Sequence, residues 1–341
     1  MTSEPASSRS AERGELLARR LRARGARSSP GPAIPRLPAD ERLPLSFAQR
    51  RLWFMEQLVP GNVAYTMQDT RYRLRGPLRT DALERALRAV VVRHDVLRAR
   101  FAVTDGEPYM VIGDPGVVRL RRRDHSGEPD PQAAAAQLAA EDADEPFDLE
   151  RGPLLRGALS RLGEDDHVLV VTVHHAVFDG WSVGVFEQDL SAAYRAALSG
   201  TGRLPDLAVR YADFAAWQRR RIEETPPTAQ LDFWRAQLAG LRPALPLLED
   251  LPRPAVPSYR GGVVHRLVAE HTADRLRALA RAHGATLFMV GLAAYHVLLS
   301  RYARTTDIVT GSPTAGRTHP ELENLIGFWV GASGWCGAGW R

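Results

Sequence analysis

The amino-acid sequence predicts an α+β protein arranged as two lobes, and three observations lead to that expectation. At 341 residues the chain is longer than a single hydrophobic core usually organises. From Leu45 onward, segments of strand and helix character follow one another in a mixed order rather than as a strict β-α-β repeat. Helical segments then run into a Pro-rich stretch at residues 248–257, which places a hinge near residues 220–260. The expected division is a leader over residues 1–40, an N-terminal lobe over 41–220, part of a C-terminal lobe over 221–330 and an irregular tail over 331–341.

In chain order, residues 11–26 form a candidate basic helix with Leu16, Leu17 and Leu21 on one side, followed by a flexible Pro-rich linker from Ser28 to Pro38. Residues 65–74 read as a strand. Residues 81–93 read as a helix: Leu83, Leu87 and Val90 form a stripe, and Asp81 and Glu84 have the spacing of a capping box. Strands are expected at 98–103, 109–112 and 118–122, an Ala-rich helix at 131–143, and strands at 154–160 and 167–173. A helix at 182–198 carries Val185, Phe186, Leu190, Ala193 and Tyr194 at helical spacing, and helices at 211–223 and 229–238 follow. Beyond the Pro-rich stretch come a strand at 263–268, helices at 273–282 and 287–302, and a strand at 307–311.

Composition narrows the function classes. Every basic residue is Arg, and the 45 of them against 40 acids leave a net charge of +5. Acidic residues are interleaved with the arginines, and no aromatic-basic alternation appears, so a genomic compositional bias explains the arginines better than a nucleic-acid surface. No apolar run approaches the roughly 20 residues of a spanning helix, and the N-terminus lacks the apolar core of a signal peptide. Cys336 is the single cysteine, which excludes an intrachain disulfide and suits a reducing cytoplasm.

The chemistry concentrates in His174-His175-Ala176-Val177-Phe178-Asp179-Gly180, at the end of the apolar run Val168, Leu169, Val170, Val171, Val173. Titratable groups at the end of a buried strand are costly unless something uses or satisfies them. Neighbouring strand side chains point to opposite faces, so only one of His174 and His175 can face a given cleft. The same divergence argues against a metal site, and no further His, Cys or carboxylate cluster offers ligand spacing. Asp179, just before a helix, reads as a group that interacts with the helix dipole or pairs with an arginine. Gly180 reads either as a position where a Cβ would obstruct a ligand or as one that needs a positive φ. Trp181 and Ser182 read as packing and capping residues.

This segment matches, residue for residue, the HHxxxDG signature of the condensation domains of non-ribosomal peptide synthetases, and the chain resembles that family in four further places in order. Leu45-Ser46-Phe47-Ala48-Gln49-Arg50-Arg51-Leu52-Trp53 is similar to the opening motif, and Arg93-His94-Asp95-Val96-Leu97-Arg98-Ala99-Arg100-Phe101 to the second. Phe147-Asp148-Leu149 with Gly152-Pro153-Leu154-Leu155-Arg156 precedes the histidines as in the family, and Tyr211-Ala212-Asp213-Phe214-Ala215-Ala216-Trp217 resembles the fourth motif. The aromatic spacing of the opening and fourth motifs reads as buried helix faces. Ile326-Gly327-Phe328-Trp329-Val330 begins like the fifth motif, but residues 331–341 then show no strand or helix period, as a truncated gene or shifted frame would produce.

The resemblance implies a two-lobed chloramphenicol acetyltransferase-like fold with the second lobe incomplete. It implies amide formation between a donor acyl or peptidyl thioester and an acceptor aminoacyl thioester. Both arrive on 4′-phosphopantetheine arms of upstream and downstream peptidyl carrier domains, with an adenylation domain in the same assembly. It assigns the working role to His175, packing or internal hydrogen bonding to His174, and an internal salt bridge to Asp179, with Arg317 as candidate partner. Heterocyclising relatives carry DxxxxD in place of the signature, and epimerising relatives differ in the opening motif. A coenzyme A-dependent acyltransferase of the same superfamily and a catalytically inactive fragment are the alternatives.

Overall fold

The structure, a computed structural model, describes residues 33–38, 41–118, 120–240, 245, 247, 262 and 264–337. Strand β1 (Leu43–Pro44) and helix α1 (Phe47–Leu58) open the folded part, followed by β2 (Thr66–Arg75) and α2 (Thr80–Arg93). Next come β3 (Ala99–Thr104), β4 (Glu107–Ile112), β5 (Leu120–Asp124) and α3 (Pro131–Asp144). The hairpin β6 (Leu155–Gly163) and β7 (Asp166–His174) leads into α4 (Gly180–Ser199), α5 (Tyr211–Glu224) and α6 (Thr228–Gln237). Further on are α7 (Glu270–Ala282), α8 (Leu287–Ala303), β8 (Ile308–Thr314) and β9 (Gly331–Gly337).

The central sheet has the order β2-β7-β6-β5, with β5 and β6 parallel and the other pairs antiparallel. A small sheet, β1-β4-β3, stands apart from it. From Leu169 to His174, β7 is buried without interruption. Thr172 meets Asp142 of α3, while Val171 and Val173 join the core shared with α2 and α4. A strand covered on both faces reads as a continuous apolar run, which is how β7 appears in the sequence. Helices α2 and α4 pack together through Leu83, Leu87 and Val90 against Phe186, Leu190 and Ala193, all of them buried. That packing fixes the start of α4 beside the end of β7.

Several expectations are corrected. The candidate helix at 11–26 and the Pro-rich stretch at 248–257 lie outside the described residues. Within the expected flexible linker, residues 33–38 are docked: Ile34 and Leu37 are buried, and Arg36 donates to the carbonyls of Leu207 and Ala208. Helix α2 has no side-chain cap. Its N-cap is Arg79, and Asp81 and Glu84 instead pair with Arg79, Arg85 and Arg122. Residues 264–268 form no strand, and Leu267 is 99% exposed. β-propensity makes a strand only where a neighbour takes its hydrogen bonds, and none runs beside this stretch among the described residues. The tail is not wholly irregular: residues 331–337 pair antiparallel with β8 from Thr314↔Gly331 to Ile308↔Gly337. Backbone pairing needs no side-chain period, so this Gly-rich strand is silent in the sequence. In the opening motif, Leu45, Gln49 and Leu52 are buried, but Phe47 faces outward.

Leu155 sits opposite Val173 and is fully buried. Leu155→Ala is expected to destabilise the chain by about 2–5 kcal/mol in chemical denaturation; a loss below 1 kcal/mol, on the order of a single methylene, would place this hairpin outside the core.

Candidate active site

Strand β7 ends at His174, whose backbone N–H makes a last bond to Leu154 O at 3.0 Å. The chain then turns through a single 3-10 turn, His175–Val177, so the two imidazoles separate because His175 has left the strand, not through strand alternation. Asp179 is the N-cap of α4, accepting the Ser182 N–H at 2.9 Å.

His174 points inward, between the rings of Tyr65 and Phe147 at 6.3 and 6.0 Å. Its Nδ1 accepts the Ala176 N–H at 3.1 Å, which braces the turn. Burial pushes its pKa down to about 3, helped by the neighbouring His175, so the ring is neutral at physiological pH. His175 is half-buried. Its Nδ1 lies 2.6 Å from Phe178 O. A carbonyl only accepts, so Nδ1 carries a proton, and the lone pair of the unprotonated imidazole lies at Nε2. Among the described residues Nε2 has no protein partner. The Phe328 ring lies 4.7 Å from the His175 ring and forms one wall beside it.

Asp179 is 1% exposed and fully engaged. Oδ1 accepts from Ser182 N–H, from Ser182 Oγ at 2.7 Å and from Arg317 at 3.2 Å, while Oδ2 accepts the Trp329 N–H at 3.2 Å. Arg317 is equally buried, lies over the Trp329 ring at 3.8 Å and donates to the carbonyls of Leu322 and Leu325. Asp179 and Arg317 are therefore brought together as expected, 138 positions apart.

Gly180 needs a partial correction. Its φ is not in the left-handed region, so the backbone reading fails, and a Cβ there would meet no protein atom within 4 Å. The space beside Gly180 is open. Trp181 is about half exposed and donates to Glu323 O at 3.0 Å rather than packing in the core. Ser182 does not cap. Its single hydroxyl proton goes to Asp179, and its oxygen accepts from Gly327 N–H and Arg317, each at 3.1 Å.

Residues that seemed ordinary core also belong to the site. Gln49 is fully buried and donates to Ala176 O at 3.0 Å, holding the turn that carries His175. Tyr211 donates to Phe328 O at 2.5 Å and accepts from Ser46 Oγ at 2.8 Å; burial raises its pKa and keeps the phenol protonated. Gly327 passes so close to Tyr211 and Trp329 that a Cβ would overlap both rings. The available signal was polar atoms inside apolar helical stripes, because a buried polar group must be paired with something.

The comparisons agree with this geometry. A family model for the condensation domain matches residues 39–332. The chain is 44% identical over 319 residues, 92% of its length, to the phosphinothricin tripeptide synthetase PhsC of Streptomyces viridochromogenes, of which it spans 29%. It superposes on the X-domain from teicoplanin biosynthesis with a TM-score of 0.79 at 34% identity, covering 89% of this chain and 67% of that one. The first condensation domain of the calcium-dependent antibiotic synthetase, in complex with a substrate analogue, gives 0.70 at 26% identity, covering 87% and 70%. The chain belongs to the condensation-domain family, and its fold is chloramphenicol acetyltransferase-like.

Two outcomes are expected. Asp179→Ala leaves Arg317 buried without its counter-charge and should cost about 3–5 kcal/mol. Combining it with Arg317→Leu should cost clearly less than the sum of the two single changes; strict additivity in denaturation would show that the pair does not act as a unit. The depressed pKa of His174 has a defined sign. As pH falls from 6.5 toward about 3, the unfolded chain takes up a proton that the folded chain refuses, so stability is present above that window and lost through it. The loss should reach about 1.4 kcal/mol per pH unit, with His94, also lowered by burial, adding in the same direction. Denaturation midpoints that stay level across the window would contradict a buried neutral His174.

Proposed function

We propose that this chain forms amide bonds by transferring a donor acyl group from one thioester to the amine of an acceptor aminoacyl thioester. Condensation domains of peptide synthetases are acyltransferases of this kind. The observation that carries the reading is His175: its Nδ1 proton is committed to Phe178 O, which leaves the Nε2 lone pair available to an incoming amine.

The chemistry asks for little base strength. An α-amino group has a pKa of ~7.7–8.0, so roughly a tenth is neutral at pH 7, a handicap of about 1.4 kcal/mol. Orienting two tethered reactants is worth ~7–11 kcal/mol. Positioning therefore outweighs deprotonation. In this reading Nε2 accepts a hydrogen bond from the acceptor amine and aims its nitrogen lone pair at the donor carbonyl. The C–N bond forms and a tetrahedral intermediate results. His175 takes the surplus proton as the C–S bond breaks and the thiolate leaves on the donor arm, which then recovers the proton. Asp179 and Arg317 stay out of the chemistry and hold the site's shape. The open space at Gly180 suits passage of a pantetheine arm. The substrates would arrive on upstream and downstream carrier domains in the cytoplasm, with an adenylation domain loading them.

The test is transfer between two loaded carrier proteins, followed by mass spectrometry of the product. His175→Ala should lower the rate by about 10²-fold or more while leaving the melting transition in place. A variant as fast as the parent would remove His175 from the reaction. Equal rates with coenzyme A-borne and carrier-borne donors would remove the carrier domains as the specific partners.

A further inference from the structure

The segment Ile326–Trp329 lies in no strand, yet it passes through the middle of the site. It is held by individual side chains from separate parts of the sequence: Ile326 N–H by His94, Gly327 N–H by Ser182, Phe328 O by Tyr211 and Trp329 N–H by Asp179. A segment held in a sheet shares its bonds with neighbours on either side. Here the loss of one side chain removes the only side-chain hydrogen bond to the backbone of that residue among the described contacts. Three of these ties come from groups already assigned to the site. The fourth, His94, has no role in the reading above.

His94 closes α2 and is 2% exposed. Its Nε2 lies 2.7 Å from Asp189 Oδ2 on α4, and its Nδ1 lies 3.2 Å from the backbone nitrogen of Ile326. A carboxylate accepts, so Nε2 carries a proton; a backbone N–H donates, so Nδ1 is bare. The two bonds together admit one state of the ring, neutral with the proton on Nε2. The other oxygen of Asp189 is held by Arg93 at 2.8 Å, so the acceptor is itself fixed. Two residues beyond Ile326, the Phe328 ring stands 4.7 Å from His175. A cavity of about 280 Å³, lined in part by His94, Asp95, Tyr211, Leu325 and Ile326, gives the segment room to shift once released.

We propose that His94 is a positioning residue for amide formation: its ring clamps Ile326 to α2 and α4, and so fixes the aromatic wall that Phe328 places beside His175. The proposal rests on the amide-forming reading of His175. Asn can place a carbonyl oxygen where Nδ1 stands, and Gln can place an N–H where Nε2 stands. His94→Asn therefore keeps the tie to Ile326, and His94→Gln keeps only the tie to Asp189.

The experiment follows both variants in the full chain by hydrogen exchange at the Ile326 amide and by carrier-to-carrier transfer. His94→Gln should expose Ile326 to exchange and slow turnover about tenfold or more, with the acceptor KM changed less than kcat. His94→Asn should keep Ile326 protected and recover most of that loss. Equal exchange at Ile326 in the parent and His94→Gln would overturn the clamp. Exposure of Ile326 without loss of turnover would overturn the positioning role. A parent with no transfer activity would overturn the amide-forming reading, while the exchange measurement still decides the clamp. Should neither variant fold, the ¹⁵N signature of His94 in the parent remains decisive. A neutral ring protonated on Nε2 supports the clamp, and protonation on Nδ1 overturns it.

Discussion

The contact on which the rest of the site depends is the buried pair of Asp179 and Arg317. A carboxylate sealed from water is tolerated only when its lone pairs are satisfied, and both Asp179 oxygens are engaged. Meeting that demand draws three elements together. Ser182 brings the first turn of α4, Trp329 brings the crossing segment, and Arg317 brings the loop after β8, gathering the carbonyls of Leu322 and Leu325 as it does so. The acid makes no bond to either histidine among the described contacts; in the proposed reaction it shapes the site.

That division explains how a modest imidazole can be sufficient. His175 sits on a short turn braced from three directions: by His174 through Ala176 N–H, by Gln49 through Ala176 O and by its own bond to Phe178 O. Each contact removes a freedom that a catalytic ring would otherwise have to lose during the reaction. The tautomer that the proposed reaction needs is set by a backbone carbonyl rather than an acidic partner. The backbone carbonyl orients the ring, which is what the proposed reaction, limited by orientation, asks of it.

Much of this was legible in the sequence where one physical signal dominated. The continuous apolar run of β7 and the helical stripe of α4 located their elements within a residue or two, and the motif between them located the site. The Asp179–Arg317 pairing was legible only through family resemblance, since nothing in local spacing links residues so far apart. Other features were hidden for identifiable reasons. Residues 331–337 are strand by backbone pairing alone, and Asp81 at capping spacing was claimed by two arginines. Gln49, His94 and Tyr211 lay within the motifs, yet their polar atoms act on backbone groups far along the chain. A side-chain bond to a distant main-chain atom leaves no pattern in a single sequence.

The central claim is that the Nε2 lone pair of His175 receives the acceptor amine within a frame set by Asp179 and Arg317. The most direct measurement is a crystal structure of the domain with an acceptor aminoacyl-pantetheine analogue in place. The expected result is the amine nitrogen within hydrogen-bonding distance of His175 Nε2, with Nδ1 still on Phe178 O and Asp179 still joined to Arg317 and Trp329. An amine seated away from His175, or a His175 ring turned so that Nδ1 faces the amine, would contradict it.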